Sequence, residues 1–188
     1  ERAEVLNNRG NALFRLGRTA AALEDFDRAL EMKPDFCEVL SNRGNALREL
    51  KRYDEALASL RRALELRPGH IDALNNLGNV FRVLKQPEDA LASYEQALAI
   101  QPDNIEALNN RGIVLVDMKR HTAALDSYDR ALAQRPGYPE ALNNRGILYG
   151  ELKQPERALE DFDAALAAKP DYAEAWSNRG NALRELDR

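Results

Sequence analysis

Apolar residues recur along the chain at helical spacing, in short runs separated by polar breaks. Between Ala3 and Phe36, Leu6, Leu13 and Leu16 form one apolar stripe, and a break follows at residues 17–19. A second stripe after the break has the same period and contains Ala22, Leu23, Phe26, Ala29 and Leu30. This pattern predicts two amphipathic helices joined by a short turn.

The two-helix pattern repeats with a fixed period. Glycines recur at a constant interval, at Gly10, Gly44, Gly78, Gly112, Gly146 and Gly180, and prolines recur at the same interval, at Pro34, Pro68, Pro102, Pro136 and Pro170. An interval of about 34 residues predicts an array of supersecondary units. We therefore predict an all-α, right-handed α-solenoid of eleven antiparallel helices, a single array over residues 1–188 (units 3–36, 37–70, 71–104, 105–138 and 139–172, and a partial unit 173–188).

The junctions between helices carry start signals. Pro87 and Pro155 suit the first turn of a helix, where a missing N–H costs nothing. At three unit boundaries an aspartate stands three residues before a glutamate: Asp35 and Glu38, Asp103 and Glu106, Asp171 and Glu174. This spacing predicts capping boxes for the helices that follow.

The recurrent glycine falls inside the first helix of each unit, where it costs about 1 kcal/mol relative to alanine. In the second helix an alanine always follows at the same distance from the glycine, at Ala22, Ala56, Ala90, Ala124 and Ala158. We expect each glycine to face this alanine, so that the two helices approach closely.

These registers resemble the tetratricopeptide repeat, whose pattern of about 34 residues is W-x₂-L-G-x₂-Y, then A-x₃-F, then A and P. The resemblance covers the whole chain. It departs from the family before the glycine, where only Leu77 is kept and the other units have Arg9, Arg43, Arg111, Arg145 and Arg179. We expect each arginine stem to cover apolar surface while its guanidinium binds an acid or a carbonyl.

Asparagines occupy the free face of the first helices. One register is asparagine in all six units, at Asn8, Asn42, Asn76, Asn110, Asn144 and Asn178. Asparagine is several tenths of a kcal/mol worse than alanine in a helix, but its amide matches the N–H and C=O of a peptide group. Because helices pack about 8–10 Å apart and an extended chain rises about 3.3 Å per residue, one asparagine can meet a bound peptide at about every third residue.

The family resemblance implies that the first helices line the concave face of a superhelix. The asparagine column is similar to the ladder of O-linked N-acetylglucosamine transferases and spindly-like proteins, which holds substrate peptides ahead of a separate catalytic domain. We predict a groove that binds an extended protein or peptide segment through this column together with Asn45, Asn79, Arg48 and Arg82. In the alternative structural interpretation, the asparagines bond a neighbouring helix or water.

Three functional interpretations remain open at this point. The first is a protein–protein interaction scaffold that binds an extended segment. The second is the substrate-binding part of a larger glycosyltransferase of the O-linked N-acetylglucosamine transferase type, whose catalytic domain is absent here. The third is a structural spacer.

Composition narrows the function classes further. The 27 Lys+Arg and 31 Asp+Glu give a net charge of −4, which argues against nucleic-acid binding, and no apolar run approaches the roughly 20 residues of a membrane span. His70 and His121 fall at different places in their units, and no catalytic or metal-binding motif is present, so we expect no enzyme activity, cofactor or metal site in this chain. The acidic pairs Glu24-Asp25 and Glu160-Asp161 are interpreted as solvated helix surface. The lone Cys37 suits a reducing compartment, and we expect a cytoplasmic location.

The two ends of the sequence suggest self-association. The chain opens at Glu1 inside a helical pattern, which we interpret as a fragment of a longer protein. The last unit stops after one helix and leaves Trp176, Leu183 and Leu186 uncovered, while the first helix lacks a preceding unit. We therefore expect end-to-end association of copies through these faces.

Overall fold

Helices follow one another along the whole described chain in the computed structural model, which describes residues 1–187. These residues form eleven α-helices and no strand: α1 Arg2–Arg15, α2 Thr19–Met32, α3 Cys37–Glu49, α4 Tyr53–Leu66, α5 Ile71–Val83, α6 Pro87–Ile100, α7 Ile105–Asp117, α8 His121–Gln134, α9 Pro139–Glu151, α10 Pro155–Ala168 and α11 Ala173–Glu185.

The chain divides into two compact units, Glu1–Gln101 and Pro102–Arg188. In the first unit, α1 pairs with α2, α3 with α4 and α5 with α6, and α3 also packs against α1, α2 and α5. In the second unit, α7 pairs with α8 and α9 with α10, while α11 packs against α9 and α10. The fold is the predicted all-α solenoid of helix pairs; that the two units form one continuous array remains a prediction from the period.

The glycine register marks the closest approach within each helix pair. A Cβ on Gly10 would lie 2.6 Å from Cε1 of Phe26, and one on Gly78 would lie 2.5 Å from Cε1 of Tyr94. In the other pairs the equivalent buried side chain of the second helix makes the same contact: Leu60, Tyr128 and Phe162. A large side chain of the second helix therefore covers each of these glycines, and that the glycine also faces the alanine of that helix remains a prediction.

The predicted capping boxes do not form. The N-cap positions of α3, α7 and α11 fall one residue after the aspartates, at Phe36, Asn104 and Tyr172. Of these, only Asn104 caps its helix with its side chain, accepting a hydrogen bond from the backbone N–H of Ala107 at 2.9 Å. The Asp35 carboxylate instead accepts a hydrogen bond from Arg62 at 2.7 Å. The two prolines do begin α6 and α10, as predicted.

Leu16 is not part of a buried stripe, contrary to the prediction. It is the C-cap residue of α1, and 74% of its surface is exposed. The equivalent residue of the next repeat, Leu50, packs against a buried cluster that includes Leu23 of α2 and Leu47 of α3. Within the described residues α1 packs only against α2 and α3, so no such cluster covers Leu16.

The arginines before the glycines bind acceptors on the second helices. Most of these acceptors are acids, as the sequence predicts. Arg145 donates hydrogen bonds to both carboxylate oxygens of Asp161 at 2.7 and 2.8 Å and to Asp129 at 2.6 Å. Arg9 binds both oxygens of Asp25 and holds the pKa of that carboxyl below its usual value. Asp25 and Asp161 are buried, so their interpretation as solvated surface is wrong. The other arginines of this register bind differently. Arg43 and Arg179 pair with Asp27 and Asp163 on the second helix of the preceding pair, and Arg111 donates to the hydroxyl of Ser127, which is neither an acid nor a carbonyl.

The C-terminal helix exposes its aromatic residue, as predicted. Trp176 is 52% exposed, and its Nε1 donates a hydrogen bond to the carbonyl of Pro170 at 2.9 Å. Leu183 and Leu186 are half-buried. End-to-end association through this surface remains a prediction.

The third helix pair offers a matched control for the ion pairs, because Leu77 replaces the arginine and Ser93 occupies the position of the acidic partner. We predict that Arg145→Leu lowers the free energy of unfolding by about 3 kcal/mol, because it leaves the buried Asp161 carboxylate with no cationic partner. Adding Asp161→Ser recreates the natural Leu77 and Ser93 combination and should recover most of the loss. Urea unfolding followed by circular dichroism measures both variants, and equal stability of the single and double variants would contradict the prediction.

His70 generates a prediction about pH. Its side chain is buried at the N-cap of α5, and Nε2 has no hydrogen-bond partner within residues 1–187. Burial is the main cause that lowers the pKa of this imidazole; Arg67 lowers it too, and Asp72 and Glu38 oppose the shift. The unfolded state therefore binds more protons than the folded state as the pH falls.

We accordingly expect the free energy of unfolding to decrease as the pH drops below about 6.5, where the unfolded imidazole takes up its proton. His70→Tyr introduces the residue that Tyr138 and Tyr172 provide at the same register, and it should weaken this pH dependence. Thermal melts of both proteins between about pH 7 and pH 5 test the expectation, and parallel pH profiles for the two proteins would refute it.

Candidate functional site

The invariant asparagines lie at one register of the odd-numbered helices, and in each unit the surface that carries them is called the asparagine face. It is defined by Asn8, Asn42 and Asn76 in the first unit and by Asn110, Asn144 and Asn178 in the second unit. Each asparagine stands two residues before the glycine of its helix. Asn8 is exposed, and the other five are half-buried.

Most of these amides already make one hydrogen bond to the preceding repeat. The Nδ2 group donates to a side chain 35 residues earlier, over distances of 2.9 to 3.2 Å: Asn42 to Asn7, Asn76 to the hydroxyl of Ser41, Asn144 to Asn109 and Asn178 to Asn143. The structural interpretation of the column therefore accounts for one N–H of each of these four amides.

The inter-repeat bond leaves part of each amide available. An asparagine amide has two N–H donors and one carbonyl acceptor. For Asn42, Asn144 and Asn178, the bond to the preceding repeat is the only hydrogen bond of the side chain among the described residues. The acceptors of Asn144 and Asn178, which are Asn109 and Asn143, are themselves buried, so these two bonds restrict the orientation of the donor amides.

Three of the other four predicted site residues of the first unit, Arg48, Asn45 and Asn79, make hydrogen bonds within their own chain. Arg48 donates to Oδ1 of Asn45 at 3.0 Å and to Glu49 at 2.6 Å. Oδ1 of Asn79 accepts a hydrogen bond from the hydroxyl of Tyr94 at 2.8 Å. Arg82 is half-buried, and its Nε is buried without a hydrogen-bond partner in the described part of the chain. Asn45 and Asn79 therefore use their carbonyl oxygen within their own chain, whereas Asn42, Asn144 and Asn178 use one N–H.

The second unit contains a feature that the sequence interpretation missed. A cavity of about 160 Å³ opens where α9, α10 and α11 meet, next to Asn178. It lies beside Gly150, whose register holds a side chain in every other repeat: Phe14, Arg48, Arg82, Val116 and Arg184. This single glycine was the signal in the sequence that could have located the cavity.

Several kinds of site are not found within residues 1–187. No group of three or more His, Cys, Asp or Glu side chains is placed to hold a metal ion, and no helix there is long and apolar enough to cross a membrane. The Cys37 thiol is buried, with Sγ 3.1 Å from the carbonyl oxygen of Ala63. Burial raises the pKa of this thiol, which favours the protonated form, a poor nucleophile.

Comparison with known proteins gives a consistent result. Sequence models of the tetratricopeptide repeat match residues 3–36, 35–103, 75–139 and 139–172. No curated protein sequence matches the chain significantly. The solved structure of YrrB, a TPR protein with an unusual peptide-binding site, is 27% identical, with a TM-score of 0.66 over 93% of this chain and 90% of that chain.

Two further solved structures share the fold. TTC0263, a TPR protein of Thermus thermophilus, is 23% identical, with a TM-score of 0.86 over 97% of this chain and 99% of that chain. PilW, a type IV pilus biogenesis factor, is 22% identical, with a TM-score of 0.88 over 98% of this chain and 86% of that chain. At these identities the likeness concerns the fold alone.

Asn109 and Asn144 provide a test of the inter-repeat bond, because either substitution removes the same hydrogen bond. We predict that Asn109→Ala and Asn144→Ala each lower the free energy of unfolding by about 1 kcal/mol, the net value of one hydrogen bond. Chemical denaturation of the two variants measures the loss. Unchanged stability in both would show that the bond contributes nothing to the fold.

Proposed function

This chain belongs to the tetratricopeptide repeat family, and we propose that it binds an extended protein or peptide segment along its asparagine face. Proteins of this family serve as protein-interaction scaffolds. One structural neighbour, YrrB, is a TPR protein with a peptide-binding site. The proposal for this chain goes further, because it assigns the contact to a particular register of side chains.

The orientation of the amides is the observation that supports the proposal most directly. The bond from Asn144 to Asn109, and the equivalent bond from Asn178 to Asn143, each use one N–H. The second N–H and the carbonyl of the same amide can pair with the C=O and N–H of a peptide group. Because this part-buried bond already orders the side chain, the ligand bears less of the entropy of ordering it.

The surroundings of the asparagines differ between the two units. In the first unit, the neighbouring registers carry polar and cationic groups, among them Arg48 and Arg82. In the second unit, the same registers carry Ile113, Val116 and Ile147 on α7 and α9, while α11 keeps Asn181 and Arg184. We infer that backbone recognition by the amides is common to both units, whereas side-chain preference differs between them.

A second candidate function rests on the same column. Its likeness to the asparagine ladder of O-linked N-acetylglucosamine transferases supports a role as the substrate-binding part of a larger glycosyltransferase. This role uses the same peptide contacts, so binding experiments on this chain alone do not separate it from a scaffold. The sequence of the parent gene beyond Arg188 tests it, since a sugar-nucleotide-binding domain must then follow.

Peptide selection followed by matched variants tests the leading proposal. A displayed library of random peptides of about 12 residues, long enough to span several repeats when extended, is selected on the parent protein. The dissociation constant of the best peptide is then measured by calorimetry. We predict that Asn144→Ala raises this constant about tenfold or more, the effect of losing roughly two amide contacts.

Asn109→Ala is the control for this experiment. It removes the same inter-repeat bond but leaves the Asn144 amide in place, so its effect on the dissociation constant should be clearly smaller. If both variants lose affinity equally, the asparagine acts only through the stack. Failure of any peptide to bind the parent protein would instead favour the structural spacer.

A further inference from the structure

The cavity between α9, α10 and α11 is apolar at its base. Its floor is formed by Gly146, Ala158, Phe162 and Ala182. Of these, Ala158, Phe162 and Ala182 are buried side chains of the core of the second unit. The cavity volume, about 160 Å³, is close to the roughly 150 Å³ of a protein cavity known to take up benzene. The space is therefore large enough for one apolar side chain.

One local departure from the repeat opens this cavity. Gly150 leaves empty the place that a side chain occupies in every other repeat, and a Cβ built on it would meet no atom within 4 Å. The Phe162 ring at the base carries no hydroxyl, like Phe26 in the first pair, whereas Tyr94 in the third pair reaches Asn79 with its hydroxyl at 2.8 Å.

The rim of the cavity is polar. Asn178 and Asn181 stand on α11 at its edge. Asn178 donates one N–H to Asn143 at 3.0 Å, which leaves the rest of its amide for a peptide group above the cavity. The one carboxylate on the rim, Glu185, is paired with Lys153 at 3.2 Å. Apolar contact rather than charge therefore decides which side chain enters.

We propose that this cavity is a specificity pocket, which takes one leucine- or phenylalanine-sized side chain of an extended peptide whose backbone lies on Asn144 and Asn178. The inference rests on the proposed function and adds the class of ligand to it. An apolar base with a few polar groups at the edge is the usual composition of a pocket that selects one side chain.

Parallel selections test the pocket. A random peptide library is selected on the parent protein and on Gly150→Val, where valine is the residue that Val116 provides at this register. Peptides from the parent should share Leu, Ile, Met or Phe at one position, and peptides from Gly150→Val should lack that preference. The thermal melting of the variant is compared with that of the parent, and we expect it to be no lower, because the added side chain meets open space.

A double-mutant cycle then tests whether the shared apolar residue of the peptide occupies the pocket. Replacing the shared apolar residue of the peptide by alanine should weaken binding to the parent about tenfold or more, the effect of withdrawing one buried side chain. The same replacement should change binding to Gly150→Val by less than about threefold, since the pocket is already filled.

The outcomes distinguish this inference from the proposed function. The pocket proposal is wrong if the two replacements have additive effects in the cycle. It is also wrong if the peptides selected on the parent protein show no apolar preference. If the pocket proposal fails but the peptides selected on the parent protein bind Asn144→Ala more weakly than the parent, the proposed function stands without the pocket. If no peptide is retained by the parent, both proposals fail.

Discussion

The contact between the helical glycine and a large side chain of the partner helix sets the spacing of every helix pair. An alanine at Gly10 or Gly78 would collide with the ring of Phe26 or Tyr94, so the glycine, despite its cost in a helix, is the residue that permits the approach. The ion pairs follow from the same geometry. Arg9 immediately precedes Gly10, and its partner Asp25 immediately precedes Phe26, so the ion pair and the packing contact share one register.

The sequence was sufficient for the repeat, the number of helices and their approximate bounds, because a fixed period with proline and glycine registers constrains all of them. It was less reliable where one local signal competed with tertiary packing. The aspartate-to-glutamate spacing has the form of a cap, yet Asp35 binds Arg62 from another helix. Asp25 has the residue type of a solvated surface, but its burial depends on Arg9, a partner on the other helix of its pair. Such partners become predictable only once the glycine-to-ring register is known.

The asparagine column shows that structural and binding interpretations do not exclude each other. A sequence shows only that an amide recurs; it does not show which of the three hydrogen-bonding groups is used. In the structure, Asn144 gives one N–H to Asn109, and this is the bond that makes the remaining groups suitable for recognition. Free asparagine side chains on a helix surface would lose rotamer entropy on binding a peptide, whereas these are ordered beforehand.

Within a repeat array, a departure from the register is informative when nothing else in the chain compensates for it. Leu77 replaces an arginine, but no aspartate at the Ser93 register is left without its partner, so this departure leaves no buried carboxylate unpaired there. Gly17 supplies a positive φ of 73° at the end of α1, and Gly146 accommodates the ring of Phe162. Gly150 has neither explanation: its neighbourhood within 4 Å is empty. A half-buried helical glycine beside a cavity with an apolar base is consistent with the proposed entry of a peptide side chain at this place.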